Sequence, residues 1–371
     1  MKNKKSIVLI SLLSLFLIGC SSNPDVAPKN LADSTEQHVL SGLNELEKGN
    51  KEAALKNFSQ AKLLNHKASS AYSSLALVQP NTNELLNEAL ELIDTNLDEF
   101  RYYLAAIRTA DEDEVLSSLY TNAKEIKVDY LPYYHDKGSV DYYVGKYYYS
   151  KLDFKKASVY FKNVFQEYEH SKFKEQARVL WEKSDAILRA ISLGKWSVTT
   201  KKIATLDTIN RVDAAVVLVN ELNLDRLLKG SFKPEKKNVD REMPQDIKSH
   251  PNFAELSVAS KYGLRGLEPI IQNGNLEFAP NKAVTRADFA FVLEDIIAKL
   301  KNDASIKTKY IGSVSPFSDL KSSEAYFNAA LHSVSVGFLT PTKYQEFRPN
   351  DTLTGVELIQ AIAKIKEEME L

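Results

Sequence analysis

The chain of 371 residues carries 48 Lys and Arg against 49 Asp and Glu, a formal net charge of −1, so no basic stripe points to nucleic acid. That length accommodates two domains, and 13 Gly and 12 Pro with 44% hydrophobic residues fit an all-helical protein better than a sheet. Cys20 is the only cysteine, which excludes an intrachain disulfide and a cysteine-based metal site.

In chain order, Lys2, Lys4 and Lys5 precede an uncharged run from Ile7 to Ile18, too short to span a bilayer as a mature helix. This is the form of a signal peptide. The Leu17-Ile18-Gly19-Cys20 that closes it resembles the bacterial lipoprotein box. The resemblance implies removal of residues 1–19, lipidation of Cys20 and a membrane partner at that residue. An ordinary secreted protein with a chance cysteine is the alternative. One myristoyl chain binds a bilayer only marginally, at about 10⁴ M⁻¹, and lipoproteins of this type carry several chains, palmitate among them. Residues 1–20 hold three lysines and no acid, so the remainder carries −4. Ser21 in place of an Asp implies, for a host with two membranes, an outer-membrane protein facing the periplasm. Residues 20–35 are polar, are broken by Pro24 and Pro28, and read as a flexible tether.

From 36 to 192 the spacing predicts helical hairpins. Gly42, Gly49, Ala54, Phe58 and Ala61 place small residues where helices touch and an aromatic knob between them, and Gly145, Tyr148, Ala157 and Phe161 repeat the pattern. This spacing resembles the tetratricopeptide (TPR) repeat. Between the two copies, breaks at Pro80-Asn81, Thr95-Asn96 and Asp111-Glu112 delimit two degenerate pairs. Helical pairs that cannot bury their faces alone must stack, so a short right-handed solenoid is expected, with a surface for another envelope protein. Eight tyrosines crowd 130–149, at 130, 133, 134, 142, 143, 147, 148 and 149. Packing with the hydroxyl at the rim is favoured over an aromatic platform. The acids Asp111 to Glu114 sit at a predicted helix start, where the dipole favours them.

The helix near 173–192 (Phe173, Ala177, Leu180, Trp181, Ala186, Ile187, Ala190) is expected to close the hairpins and also to open the first of three repeats, making a rigid joint. The repeated stretch reads Phe278-Ala-Pro-Asn-Lys-Ala-Val-Thr-Arg-Ala-Asp288, then Phe347-Arg-Pro-Asn-Asp-Thr-Leu-Thr-Gly-Val-Glu357, with a fainter copy at Thr208-Ile-Asn-Arg-Val-Asp213. Each copy opens a run of helical spacing: Phe289, Val292, Ile296 and Leu300 in the second, Leu358, Ile362 and Ile365 in the third. Asn210, Thr285 and Thr354 each stand three residues before an acid, Asp213, Asp288 and Glu357, the spacing of a capping box worth on the order of 1 kcal/mol. Arg211 and Arg286 fall at the first helical position, where a cation opposes the helix dipole by roughly 0.3–1 kcal/mol. A negative group is therefore expected beside them, either an internal carboxylate or an acidic ligand.

These stretches resemble the S-layer homology (SLH) family. The halves that precede them agree, since Asp246-Ile247, Phe253, Ala259 and Tyr262-Gly263 run parallel to Phe317-Ser-Asp319-Leu320, Tyr326, Leu331 and Val336-Gly337. For the first unit only Leu193-Gly194 corresponds, and the Phe-x-Pro element is missing. The resemblance covers 175–371, with units at about 175–228, 244–300 and 316–368. It implies a pseudo-threefold helical bundle joined to the hairpin solenoid, and a cell-wall glycan or peptidoglycan as ligand. Carried over by position, the family's basic residue falls on Arg211 and Arg286 but on Gly355 in the third unit, whose groove should be weak or dead. Phe253 and Tyr326 stand where the family's first helix has tryptophan. Residues 229–245, 265–277 and 301–316 read as insertions or loops, the basic run in the first being a solvated face.

The six histidines are scattered, with no HExxH, no Gly-x-Ser-x-Gly and no Walker loop. No enzyme, cofactor or metal is expected. The leading reading is a lipid-anchored envelope protein tethering membrane to wall polymer, where two weak attachments act together through effective concentration. The rival is an envelope assembly scaffold acting through its hairpins, with repeats that no longer hold glycan.

Overall fold

The computed structural model describes residues 33–127, 136–192, 194–231, 243–272 and 274–369. The expectations for the leader, Cys20, most of the tether, Tyr130, Tyr133, Tyr134 and much of the 229–245 excursion lie outside the described residues. The fold is all-α. Among the described residues sixteen α-helices accompany one two-stranded antiparallel hairpin, in which Ile271 pairs with Leu276. Among the described residues no helix is long and apolar enough to cross a membrane. The chain divides into two compact units, Met1–Ala105 and Ala106–Leu371, with the division inside a helix.

The first unit holds α1 (Thr35–Glu47), α2 (Lys51–Leu64), α3 (Ser69–Leu75), α4 (Thr82–Glu91) and the start of α5 (Asn96–Thr109). Helices α1 and α2 pair through Val39, Gly42 and Leu43 on one side and Ala54, Phe58 and Ala61 on the other. Gly42 is what lets them meet, because a Cβ there would lie 2.3 Å from the Phe58 ring. The Ser69 hydroxyl donates to the Ala89 carbonyl at 2.7 Å, tying α3 to α4. Buried Arg101 donates to Glu36, tying α5 to α1.

The second unit begins with α6 (Asp113–Glu125), α7 (Gly138–Ser150), α8 (Phe154–Glu167) and α9 (Lys174–Ile191). The Gly42–Phe58 device recurs sixteen residues apart once more, since a Cβ at Gly145 would lie 2.7 Å from the Phe161 ring. The described tyrosines of this region pack inward. Tyr142, Tyr147 and Tyr148 are buried, Tyr142 stacks on Phe173 at 4.3 Å, and Tyr148 stacks on Tyr160 at 5.7 Å. Asp141, fully buried, accepts from the Tyr120 hydroxyl at 3.0 Å and the Lys124 ammonium at 2.8 Å, so its charge is matched where water is absent.

The remainder is α10 (Val198–Ile203), α11 (Arg211–Leu222), α12 (Leu224–Ser231), α13 (Phe253–Lys261), the hairpin β1 (Ile270–Gln272) and β2 (Asn275–Glu277), α14 (Arg286–Leu300), α15 (Phe327–Val336) and α16 (Gly355–Glu368). One apolar core runs through all of it, from Ile209 and Leu218 through Leu256, Phe278, Phe289 and Ile296 to Phe327, Phe347, Leu358 and Ile362. Helix α9 packs against both α8 and α16, and Phe154, Ile187, Ala190, Ala204, Ile359 and Ala363 form one buried cluster there.

Candidate ligand site at the repeat junctions

Asn210, Thr285 and Thr354 each cap a helix in a reciprocal box, accepting from the N–H of Asp213, Asp288 and Glu357, whose carboxylates accept the cap's own N–H. The residues just before the caps meet in a closed ring of backbone hydrogen bonds. Ile209 donates to Leu353 at 3.0 Å, Leu353 to Val284 at 2.8 Å, and Val284 to Ile209 at 3.1 Å. The next two N–H groups of the first two of these helices are also occupied. Arg211 and Val212 donate to the carbonyls of Lys282 and Pro280, and Arg286 and Ala287 to those of Asp351 and Pro349. The first four N–H groups of a helix are an anion site only while they are open. Here cap and neighbour fill them.

The two arginines follow the same logic. Arg286 is fully buried, and its Nε donates to the Phe347 carbonyl at 2.8 Å. One terminal nitrogen donates to the Thr340 carbonyl at 3.0 Å and the other to Glu357. Its guanidinium lies 5.1 Å from the centre of the Phe347 ring. Arg211, 5% exposed, donates to the carbonyls of Gly266 at 3.3 Å and Glu268 at 2.7 Å and lies 4.8 Å from the Phe278 ring centre. Gly266 adopts φ +90°, and a Cβ there would sit 2.2 Å from the Asp288 carbonyl oxygen, so only glycine fits where its own carbonyl accepts from Arg211. Burial pushes both guanidinium groups below their ordinary value. Asp288, Glu268 and Asp246 oppose this at Arg211, and Glu357 at Arg286. The negative partner that a cation at a helix start requires is therefore internal. It is a carboxylate plus carbonyls for Arg286, and carbonyls with more distant acids for Arg211.

Both guanidinium groups, expected to face an acidic polymer, are buried, and the Nε of Arg211 has no hydrogen-bond partner. The rings beneath them are Phe278 and Phe347, not Phe253 and Tyr326. Phe253, the first residue of α13, is 41% exposed, while Tyr326 is half-buried against the core.

Each arginine sits on the Phe seven residues before the cap of the next repeat. At the third junction the corresponding pair is Gly355 and Ile203. A Cβ on Gly355 would lie 2.0 Å from the Ile203 carbonyl oxygen, and the Gly355 N–H donates to Leu206 at 2.9 Å. In the second and third repeats the residue after the Phe, Ala279 or Arg348, takes a positive φ of 53° or 57°. Asp246 and Asp319 hold it there, each carboxylate accepting two successive N–H groups at 2.7–2.9 Å. In the first repeat Ala204 is helical, so α10 runs on into the space that the Arg–Phe pair fills elsewhere. The missing third arginine and the missing first Phe-x-Pro are thus two sides of one interface.

Sequence reasoning missed a second charged cluster. Glu294 and Asp295, both buried on α14, accept from Arg265 at 2.8 Å and Lys307 at 2.7 Å respectively, and Lys299 donates to Asp295. Asn328 on α15 donates to Glu294 and to the Ile306 carbonyl and accepts the Tyr310 N–H, stitching the second repeat to the third. Burial pushes the Glu294 carboxyl up and the Lys299 ammonium down. Adjacent Glu-Asp in a helix that also carries Phe289, Val292 and Ile296 was the available signal, because such acids need buried cations. Among the described residues no three His, Cys, Asp or Glu are grouped to hold a metal ion. His332 is buried beside Phe338, with Nδ1 lacking a hydrogen-bond partner.

Compared with models of known protein families, with curated proteins and with solved structures, the chain matches none.

Proposed function

We propose that the protein is a lipid-anchored component of a bacterial envelope that acts as an assembly scaffold. Its TPR-like hairpins dock another envelope protein, and its SLH-like repeats are a pseudo-threefold structural body. The lipoprotein box ending at Cys20 supports the anchor, and the closed hydrogen-bond ring at Ile209, Val284 and Leu353 supports the threefold reading. The observation that carries the choice of scaffold over wall tether is the internal use of both guanidinium groups and of the helix N-terminal N–H groups around them. A polymer carboxylate would have to displace carbonyls and a carboxylate already in place, which leaves buried groups unpaired at about 1–3 kcal/mol each.

Sedimentation of the full chain with purified wall sacculi tests the choice. The scaffold reading expects the protein to stay in the supernatant. Pelleting that Phe253→Ala abolishes would restore the tether through the one exposed aromatic of the expected site. Labelling with radioactive palmitate, lost in Cys20→Ala, tests the anchor separately.

A further inference from the structure

The third junction differs from the other two in what it joins. Gly355 and its helix meet α10 and, through Ile359 and Ala363, the hairpin helices α8 and α9 at Phe154, Ile187 and Ala190. Three charged side chains, Lys183, Lys366 and Glu221, make the polar contacts around this cluster. Lys183 on α9 donates to the Thr205 carbonyl at 2.7 Å and to Asp207, in the strand of chain that leads to the first cap. Lys366 on α16 donates to Glu221 at 2.9 Å and lies 3.9 Å from the Trp196 ring centre. Glu221 also accepts the Thr200 hydroxyl at 2.7 Å and the Ser197 N–H at 3.1 Å. The segment 196–207 is therefore gripped by α9 on one side and by α11 and α16 on the other.

We propose that this junction is a latch that makes the hairpin helices α7–α9 and the three repeats a single cooperative unit, with Gly355 the residue on which the coupling depends. Two bodies unfold together when a buried apolar cluster is shared between them, and separately when it is not. Here the shared cluster is small, six residues, and it closes only because the bare Cα of Gly355 lets α10 approach. The arginine that the other repeats carry at this position would hold α10 off and part the two bodies. A ligand docked on the hairpins then stabilises the repeats by the same linkage, and the reverse holds. This inference stands whether the protein is a scaffold or a tether.

Hydrogen exchange of the full chain under rising denaturant, followed by mass spectrometry, tests it. In the wild type, amides of α8 and α14 should lose protection along one isotherm. In Gly355→Ala, exchange in α9 and α16 should rise about tenfold in water and the α8 isotherm should part from that of α14. Lys183→Met keeps the apolar stem and removes the ammonium, and should give the same parting to a smaller degree. Two isotherms already in the wild type would overturn the latch, as would one shared isotherm in both variants. If Gly355→Ala does not fold, the wild type and Lys183→Met decide alone, and a single isotherm in the latter overturns the proposal.

Discussion

The first two repeat junctions and the third solve one packing problem in opposite ways. At the first two, a helix begins with arginine, its charge sits over a phenylalanine of the next repeat, and backbone carbonyls close around it. At the third, the helix begins with glycine and the neighbouring backbone moves in directly. A long cation and a missing side chain are interchangeable here only because the partner changes with them, from a Phe-x-Pro segment with a positive φ to the end of helix α10. A residue that looks degenerate against a motif can therefore be the matched half of a different interface.

The sharpest way to break the comparison is to empty a clamp. Arg286→Ala strips the Phe347 and Thr340 carbonyls of their buried donor and removes one of the cations facing Glu357, and should destabilise the second unit by about 3–5 kcal/mol, seen as a lower urea midpoint. A similar loss at Arg286 and none at Arg211→Ala would show that Arg211 is no clamp. Forcing the first solution onto the third junction is next. Gly355→Arg should cost about 3 kcal/mol or more by overpacking, and the pair Gly355→Arg with Ile203→Phe should not restore stability, because the α10 backbone still occupies the site. Asp319→Ala removes the acceptor of two N–H groups and should cost about 1–3 kcal/mol, with Asp246→Ala giving a matching value if the two junctions are equivalent.

The smallest effect is a pH dependence at the third junction. Burial pushes Glu221 up, but Thr200, Lys366 and the Ser197 N–H outweigh it and hold the carboxyl below its ordinary value. Its contribution is then present above the unfolded glutamate pKa, about 4.3, and is lost as pH falls through the lower folded value. Glu221→Gln should lower stability by about 1 kcal/mol at pH 7 and flatten the acid limb relative to wild type, measured as thermal midpoints from pH 7 to pH 3.

Legibility in the sequence tracked the range of the interaction. The capping pairs Asn210/Asp213, Thr285/Asp288 and Thr354/Glu357 lie within one helical turn and are paired in the structure. The spacing of Gly42 to Phe58 and of Gly145 to Phe161 marks contacts inside one hairpin, where connectivity leaves the partner no choice. The arginines were legible as anomalies, since a cation at a helix start demands compensation, but the source of that compensation was not. Glu357 lies 71 residues from Arg286, and the Glu268 carbonyl lies 57 from Arg211. The charged cluster of Glu294 and Asp295 was legible only in part: Lys299 lies one turn from Asp295 on the same helix, whereas Arg265 and Lys307 come from outside it.

By itself, then, the sequence determined an all-helical chain, where three of its helices begin, and that two of them begin with a charge in need of a partner. Only the tertiary structure decided that the partner is the protein, and that Gly355 and Ile203 face each other as a matched pair. The reason is physical. Capping and helical periodicity are satisfied within a turn or two, whereas the compensation of a buried charge and the approach of two backbones depend on residues the chain brings together from far apart.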